Sequence, residues 1–227
     1  MMAGIKQIGT QRTTTKGQQV ENQDIWLLKA LDTHLTGTQR PNRVGVFYPS
    51  VLGSSCDAHL FLAYQGLLPE ETLAAVTRRI FDVGGSLEDR MDKYFSKMGI
   101  LLEREKSIKF DSPPISGRCD FILSHEEEGR IVLELKSANN KTFTNLRLEP
   151  KPEHSVQLQI YLNLLEIDKG VVLYENKDNQ TLKAFKLDRD HNKWNEIINR
   201  CFKIMGMATI PKTCKGNRWC PCRSVPR

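Results

Sequence analysis

The sequence predicts an α/β domain, and three observations carry that prediction. Short runs rich in β-branched and aliphatic residues, bounded by turn-formers, alternate with stretches of helical apolar spacing. Their order is helix, three strands, polar connector, helix and strand, which suits one sheet with helices packed on it. At 227 residues the chain is long enough for one domain with a real core. Hydrophobic content of 39% and charged content of 26% belong to ordinary soluble globular proteins. The net charge of +6 favours a polyanionic partner. No apolar run approaches the ~20 residues that span a bilayer, and the first residues lack the apolar core of a signal peptide. A cytoplasmic protein with no membrane association is therefore expected.

Taken in order, residues 1–24 are polar and aperiodic and read as a loosely ordered arm, with a single domain over 25–227. Ile25 to Leu31 can form a short helix. Tyr48-Pro49-Ser50 reads as a turn, and Ser54 or Ser55 can cap a helix carrying Cys56, Leu60 and Tyr64. Leu73 to Phe81, opened by Pro69-Glu70-Glu71, forms an amphipathic helix. A second helix starts at Ser86 as N-cap, with Asp89 three residues on, and Leu87, Met91, Tyr94 or Phe95, and Met98 form its apolar stripe. Glu88 then sits in a first turn, where it either complements the helix dipole or projects inward as an oxygen ligand. Leu102 to Phe110 alternates as a strand.

Two further strands follow: Ser116 to Leu123, and Ile131 to Lys136 after the polar break at 125–130. Glu134 and Lys136, two apart, leave the same strand face. A carboxylate and an amine in an apolar strand are costly to bury unless they pair or hold a metal. The turn can fold Asp120 back beside Glu134, and two carboxylates with a nearby backbone carbonyl suit Mg²⁺ or Mn²⁺. The plainer reading of Glu134-Leu135-Lys136 alone is a hairpin with a surface Glu–Lys pair, since E-x-K is common. The connector at 137–153 carries Lys141, Arg147 and Lys151, suited to phosphate contacts or simply solvated. In the helix that follows, Gln157 and Tyr161 share a face at i and i+4, while Leu158, Leu162 and Leu165 face the core. Gly170 to Tyr174 and Leu182 to Leu187 are strands, and a helix over 190–205 follows them.

Asp120, thirteen residues, then Glu134-Leu135-Lys136 resembles the signature of the PD-(D/E)XK nucleases. Gln157 and Tyr161 resemble the Q-x-x-x-Y motif of their RecB/Cas4-like branch. In that branch the preceding helix carries G-x-x-x-H, and here Gly84 to Glu88 matches it with Glu88 in place of the histidine. The resemblance implies a restriction-endonuclease-like core, a central mixed sheet flanked by helices. It also implies a metal-dependent exonuclease acting on single-stranded DNA or DNA ends. Asp120, Glu134, Lys136, Gln157 and Tyr161 would be catalytic; Asp120, Glu134, the Leu135 carbonyl and Glu88 would hold the metal. Protein partners in replication, repair or recombination are an expectation of the same kind.

Six cysteines in such a chain point to metal or cluster binding, or to burial, before disulfides. Cys214, Cys220 and Cys222 lie in a Pro- and Arg-rich tail with no core pattern, so thiolate ligation explains them best. Cys56 is the candidate fourth ligand, although a lone cysteine at a helix start is usually a buried small hydrophobe. Cys119 and Cys201 read as core. One cysteine before the core and three after it resembles the iron–sulfur members of the branch. That implies a [4Fe–4S] cluster joining residues 201–227 to the earlier chain. The spacing here, C-x₅-C-x-C, departs from their C-x₂-C-x₅-C, and zinc, or use of Cys201 as a ligand instead, is the alternative. Lys215, Arg218 and Arg223 would bring positive charge to a bound strand. The rival reading is a nucleic-acid-binding protein that does not cut, stabilised by a structural zinc or iron–sulfur site.

Overall fold

The computed structural model describes residues 26–37, 44–68, 74–214 and 220–223. The arm at 1–24, Pro69-Glu70-Glu71, Lys215 and Arg218 lie outside them. The helices are α1 (Trp26–Leu35), α2 (Pro49–Leu52), α3 (Asp57–Tyr64), α4 (Ala75–Met98), α5 (Asn140–Asn145), α6 (Pro152–Leu165) and α7 (His191–Met205). Five strands, β1 (Leu101–Asp111), β2 (Pro114–His125), β3 (Gly129–Ala138), β4 (Lys169–Asn176) and β5 (Leu182–Asp188), form one sheet in the order β1-β2-β3-β4-β5. The sheet is mixed. β1, β2 and β3 form an antiparallel meander, β3 and β4 pair in parallel, and β5 returns antiparallel to β4. The parallel pair requires a crossover, which α5 and α6 supply.

Period-two alternation sorts β3 between two cores. Leu133 and Leu135 join Leu87, Met91 and Phe95 of α4 on one face. Val132 and Ala138 join Leu158, Ile160 and Leu162 of α6 and Ile197 and Ile204 of α7 on the other. Glu134 and Lys136, two and four residues after Val132, therefore enter the α6 side. Burying that many aliphatic side chains at about 25 cal/mol per Å² is the main force holding the layers together.

Several local expectations are corrected. α4 runs unbroken through Gly84-Gly85-Ser86, so the two helices expected at 73–81 and from 86 are one. Ser86 is no cap; its hydroxyl donates to the Asp82 carbonyl one turn back at 3.0 Å. The amphipathic stripe buries Leu87, Met91 and Phe95 against the sheet and carries the helix across two glycines. Met98, expected in that stripe, is 65% exposed. Before α3, neither Ser54 nor Ser55 is the cap: Cys56 occupies the position, and its Sγ accepts the His59 N–H at 3.4 Å. Tyr48-Pro49-Ser50 leads into a helical turn, α2, with Pro49 at its start, where a missing N–H costs nothing.

Candidate functional site

The β2–β3 ladder ends at Phe121↔Leu133. Just beyond it, the Leu135 N–H donates to Asp120 Oδ2 at 2.7 Å instead of to a β2 carbonyl. The Asp120 carboxylate thus sits between the parting strands and beside Glu134. Glu134 is completely buried, and its Oε2 has no hydrogen-bond partner. The Lys136 ammonium pairs with Glu134 Oε1. Burial, and then the charge of Asp120, push the Glu134 carboxyl up to about 8. Asp120 is raised too, chiefly by burial, against the pull of Lys136 and the Leu135 N–H. Burial opposes charge on Lys136, but Glu134 and Asp120 outweigh it, and the amine stays cationic.

Glu88 reaches this cluster from α4. Burial raises its pKa first, followed by Asp120 and Glu105. It lies thirteen residues into a continuous helix, so the helix-dipole explanation falls, because that effect is confined to the first turn. An orphaned, buried Glu134 oxygen and neighbouring carboxylates whose pKa values burial raises are oxygen donors of the kind a hard divalent cation takes, and these residues fit one.

α6 supplies the second wall. Gln157 Nε2 donates to Tyr161 Oη at 3.2 Å, and Tyr161 Oη donates to the Arg118 carbonyl at 2.9 Å. Burial and then Glu134 raise the Tyr161 phenol, which stays protonated. The expected shared face is present, and it ties α6 to β2 two residues before Asp120.

Two groups at this site were not anticipated. His154 stands three residues before Gln157 and seven before Tyr161, on the same face, a spacing that was readable in the sequence. Its Nδ1 lies 2.6 Å from Tyr174 Oη, which also accepts the Lys151 N–H at 3.0 Å. That geometry directs the Tyr174 hydroxyl proton at Nδ1 and leaves Nε2 as the protonated nitrogen. Burial, then Lys136 and Lys151, hold His154 down at about 3, so it is neutral. Glu105 is the other. It adopts φ of 54°, a left-handed conformation in mid-strand, and pairs with Arg118 at 2.9 Å. Nothing in the alternation of 102–110 marked it.

Of the cationic connector residues, Lys141 and Arg147 are exposed on and after α5, and Lys151 is half-buried, 3.8 Å from Glu153.

Cys56, Cys214, Cys220 and Cys222 converge, with all four Sγ atoms within 4.8 Å of one another. Burial acts against a thiolate at Cys56, but the N–H groups of His59 and Cys214 and the neighbouring thiols lower it to about 7. Arg223 Nη2 donates to the Cys214 carbonyl at 2.9 Å. Cys119 and Cys201 are fully buried, and burial lifts each to about 12, as for core cysteines.

No family model matches the chain, and no curated relative is found. Solved structures do share the fold. The crystal structure of SSO0001 superposes with a TM-score of 0.52 at 20% identity, covering 82% of this chain and 85% of that one. An alkaline exonuclease from Laribacter hongkongensis, LHK-Exo, gives 0.52 at 17% identity over 78% and 90% of the two chains. Its complex with dAMP gives 0.51 at 16% identity over 71% and 86%. The architecture is thus an α/β nuclease-like fold, a mixed five-stranded sheet flanked by helices with four cysteines brought together. No helix among the described residues is long and apolar enough to cross a membrane.

Proposed function

We propose that this chain is a metal-dependent deoxyribonuclease of the PD-(D/E)XK kind, an exonuclease acting on single-stranded DNA or DNA ends. One observation carries the reading. Glu134 is completely buried across from Asp120 where the strands part, and while Lys136 pairs with its Oε1, its Oε2 has no partner. Two buried carboxylates set against one ammonium are costly unless a further cation completes the site. The fold shared with an alkaline exonuclease, and that enzyme's complex with dAMP, support the same substrate class.

Asp120 and Glu134 would hold Mg²⁺ or Mn²⁺, with the Leu135 carbonyl and Glu88 as further ligands. When bound, the cation lowers the pKa of a water and neutralises charge on the phosphate. Lys136, held between two carboxylates, orients that water by donating to it or to a phosphate oxygen. Gln157 and Tyr161 fix the spacing between α6 and β2 and so the position of Asp120. Lys141, Arg147 and Lys151, with Arg218 from outside the described residues, would contact the DNA backbone. Residues 25–227 act as one domain, and the thiol site has a structural role, whichever metal it takes.

The test is degradation of end-labelled single-stranded DNA in Mn²⁺ by the wild-type protein and by Lys136→Ala. Metal-dependent shortening that drops at least about 100-fold in the variant is expected, and the label reads out polarity. Binding without cleavage in every divalent metal tried would refute the proposal and leave a binding module.

A further inference from the structure

We infer that Cys56, Cys214, Cys220 and Cys222 form a site for one tetrahedral Zn²⁺ rather than for an iron–sulfur cluster. Four thiolates at about 2.3 Å from one ion form a tetrahedron with edges of about 3.8 Å. The Cys222 Sγ lies 3.6 Å from that of Cys56 and 3.9 Å from that of Cys214, and no pair of the four exceeds 4.8 Å. A cubane cluster binds each thiolate through a different iron, with its own iron and sulfide atoms standing between them. Its thiolates are held further apart than those of a single ion. The space these four sulfurs enclose is that of one ion.

The local chain agrees. Cys220 and Cys222 flank a single proline at the start of the short 3-10 turn Pro221–Arg223, so one turn points two thiols at a common centre. Cys56 enters as the N-cap of α3, fixed by the His59 N–H, and the Ser54 hydroxyl lies 3.2 Å from His59 Nδ1. Two charges lie close by on α7. Arg200 and Lys203 both reach Asp57, each at 2.9 Å, and Arg200 also donates to the Ser54 carbonyl at 2.7 Å. Asp57 neutralises one of the two, so the group leaves one positive charge beside the residue that follows Cys56. The ion bonds residues 56 and 222, 166 positions apart, and fastens the tail to α3. It has no open coordination position and takes no part in phosphodiester chemistry.

The experiment is anaerobic purification from iron-supplemented cells, followed by elemental analysis and an absorption spectrum. About one zinc per chain, and no band near about 400 nm, are expected. Roughly four irons with a brown band overturn the inference, and so does a metal-free protein with all four thiols titratable. Glu134→Gln must keep its zinc and Cys222→Ser must lose it; the reverse pattern would place the ion among the carboxylates and refute the site. Exchange of Co²⁺ into the wild-type protein needs no variant to fold. Intense tetrahedral thiolate bands are expected, and weak octahedral ones would overturn it. None of these readouts requires cleavage, so this inference and the nuclease reading can fail separately.

Discussion

Glu134→Gln removes the most expensive charge in the fold. Without a cation, the Glu134 carboxyl is ordinary in the unfolded chain, at 4.5, and sits at about 8 when folded. The folded state therefore binds more protons over that window, and stability falls as pH rises from about 4.5 through about 8. Every tenfold difference in proton affinity between the two states is worth about 1.4 kcal/mol. The cost is thus about 3 kcal/mol at pH 7 and approaches about 5 kcal/mol above pH 8. Complete burial means that solvent does not screen it. Glutamine is nearly isosteric and carries no such pH-dependent cost. With no divalent cation added, the melting temperature of the variant is expected to gain on wild type between pH 6 and pH 8. At about 2–4 °C per kcal/mol for a chain of this size, the gap should widen by several degrees. Differential scanning fluorimetry of both proteins across that range is the assay. Mn²⁺ should then raise wild type and leave the variant unmoved, because only wild type keeps the ligand. A gap that stays constant with pH, or equal stabilisation of both proteins by Mn²⁺, would refute the reasoning.

Three further outcomes follow from the same geometry. Tyr161→Phe loses the bond to the Arg118 carbonyl and strands Gln157 Nε2; a loss of about 1–3 kcal/mol in denaturant unfolding is expected, with lowered cleavage at unchanged DNA affinity. Gly53→Ala would set a Cβ 2.5 Å from the Glu153 carbonyl oxygen, a backbone atom that cannot swing away. It should cost about 2 kcal/mol or more and displace the start of α6, which calorimetry and activity together would show. Asp57→Asn cuts the ion pairs to Arg200 and Lys203 on α7, which are part-exposed, so about 1 kcal/mol is expected in urea unfolding at pH 7. Burial raises the Asp57 pKa, but Lys203 and Arg200 outweigh it and lower it. Its contribution is present above the ordinary carboxylate pKa and is lost as pH falls through the lower folded value, so the difference should vanish in strong acid.

The strands were legible because their patterns were local: β-branched runs with turn-formers at both ends gave β2, β3, β4 and β5 to within a few residues. The same holds for Gln157 and Tyr161, whose helical spacing alone implies a shared face. α4 was misread because two glycines and a serine look like a break, whereas Leu87, Met91 and Phe95 bury enough surface on the sheet to carry the helix through. Cys56 as its own cap could not be read, since the preference for serine at that position is strong and a thiol caps only where its neighbours hold it. Glu105 depends on the antiparallel β1–β2 register that brings Arg118 beside it, and the His154–Tyr174 pair on the parallel β3–β4 pairing that places β4 next to α6.

The carboxylates and the thiols pull stability in opposite directions, and the balance can be tested. A structural zinc contributes on the order of 10 kcal/mol to folding at neutral pH. That exceeds the roughly 3 kcal/mol Glu134 costs there, so the fold can carry a buried acid while the chain is stapled. Stripping the thiol-bound metal removes that reserve, and the cost of Glu134 then falls on a weakened domain. Distant sites add, so Glu134→Gln should recover about 3 kcal/mol in the stripped protein at pH 7, as it does in the intact one. Chemical unfolding with and without a strong thiol-metal chelator measures both differences. Equal recovery means the staple supports the site only through global stability. If the recovery disappears once the metal is gone, the thiol site instead holds the geometry that buries Glu134, and the additive account fails.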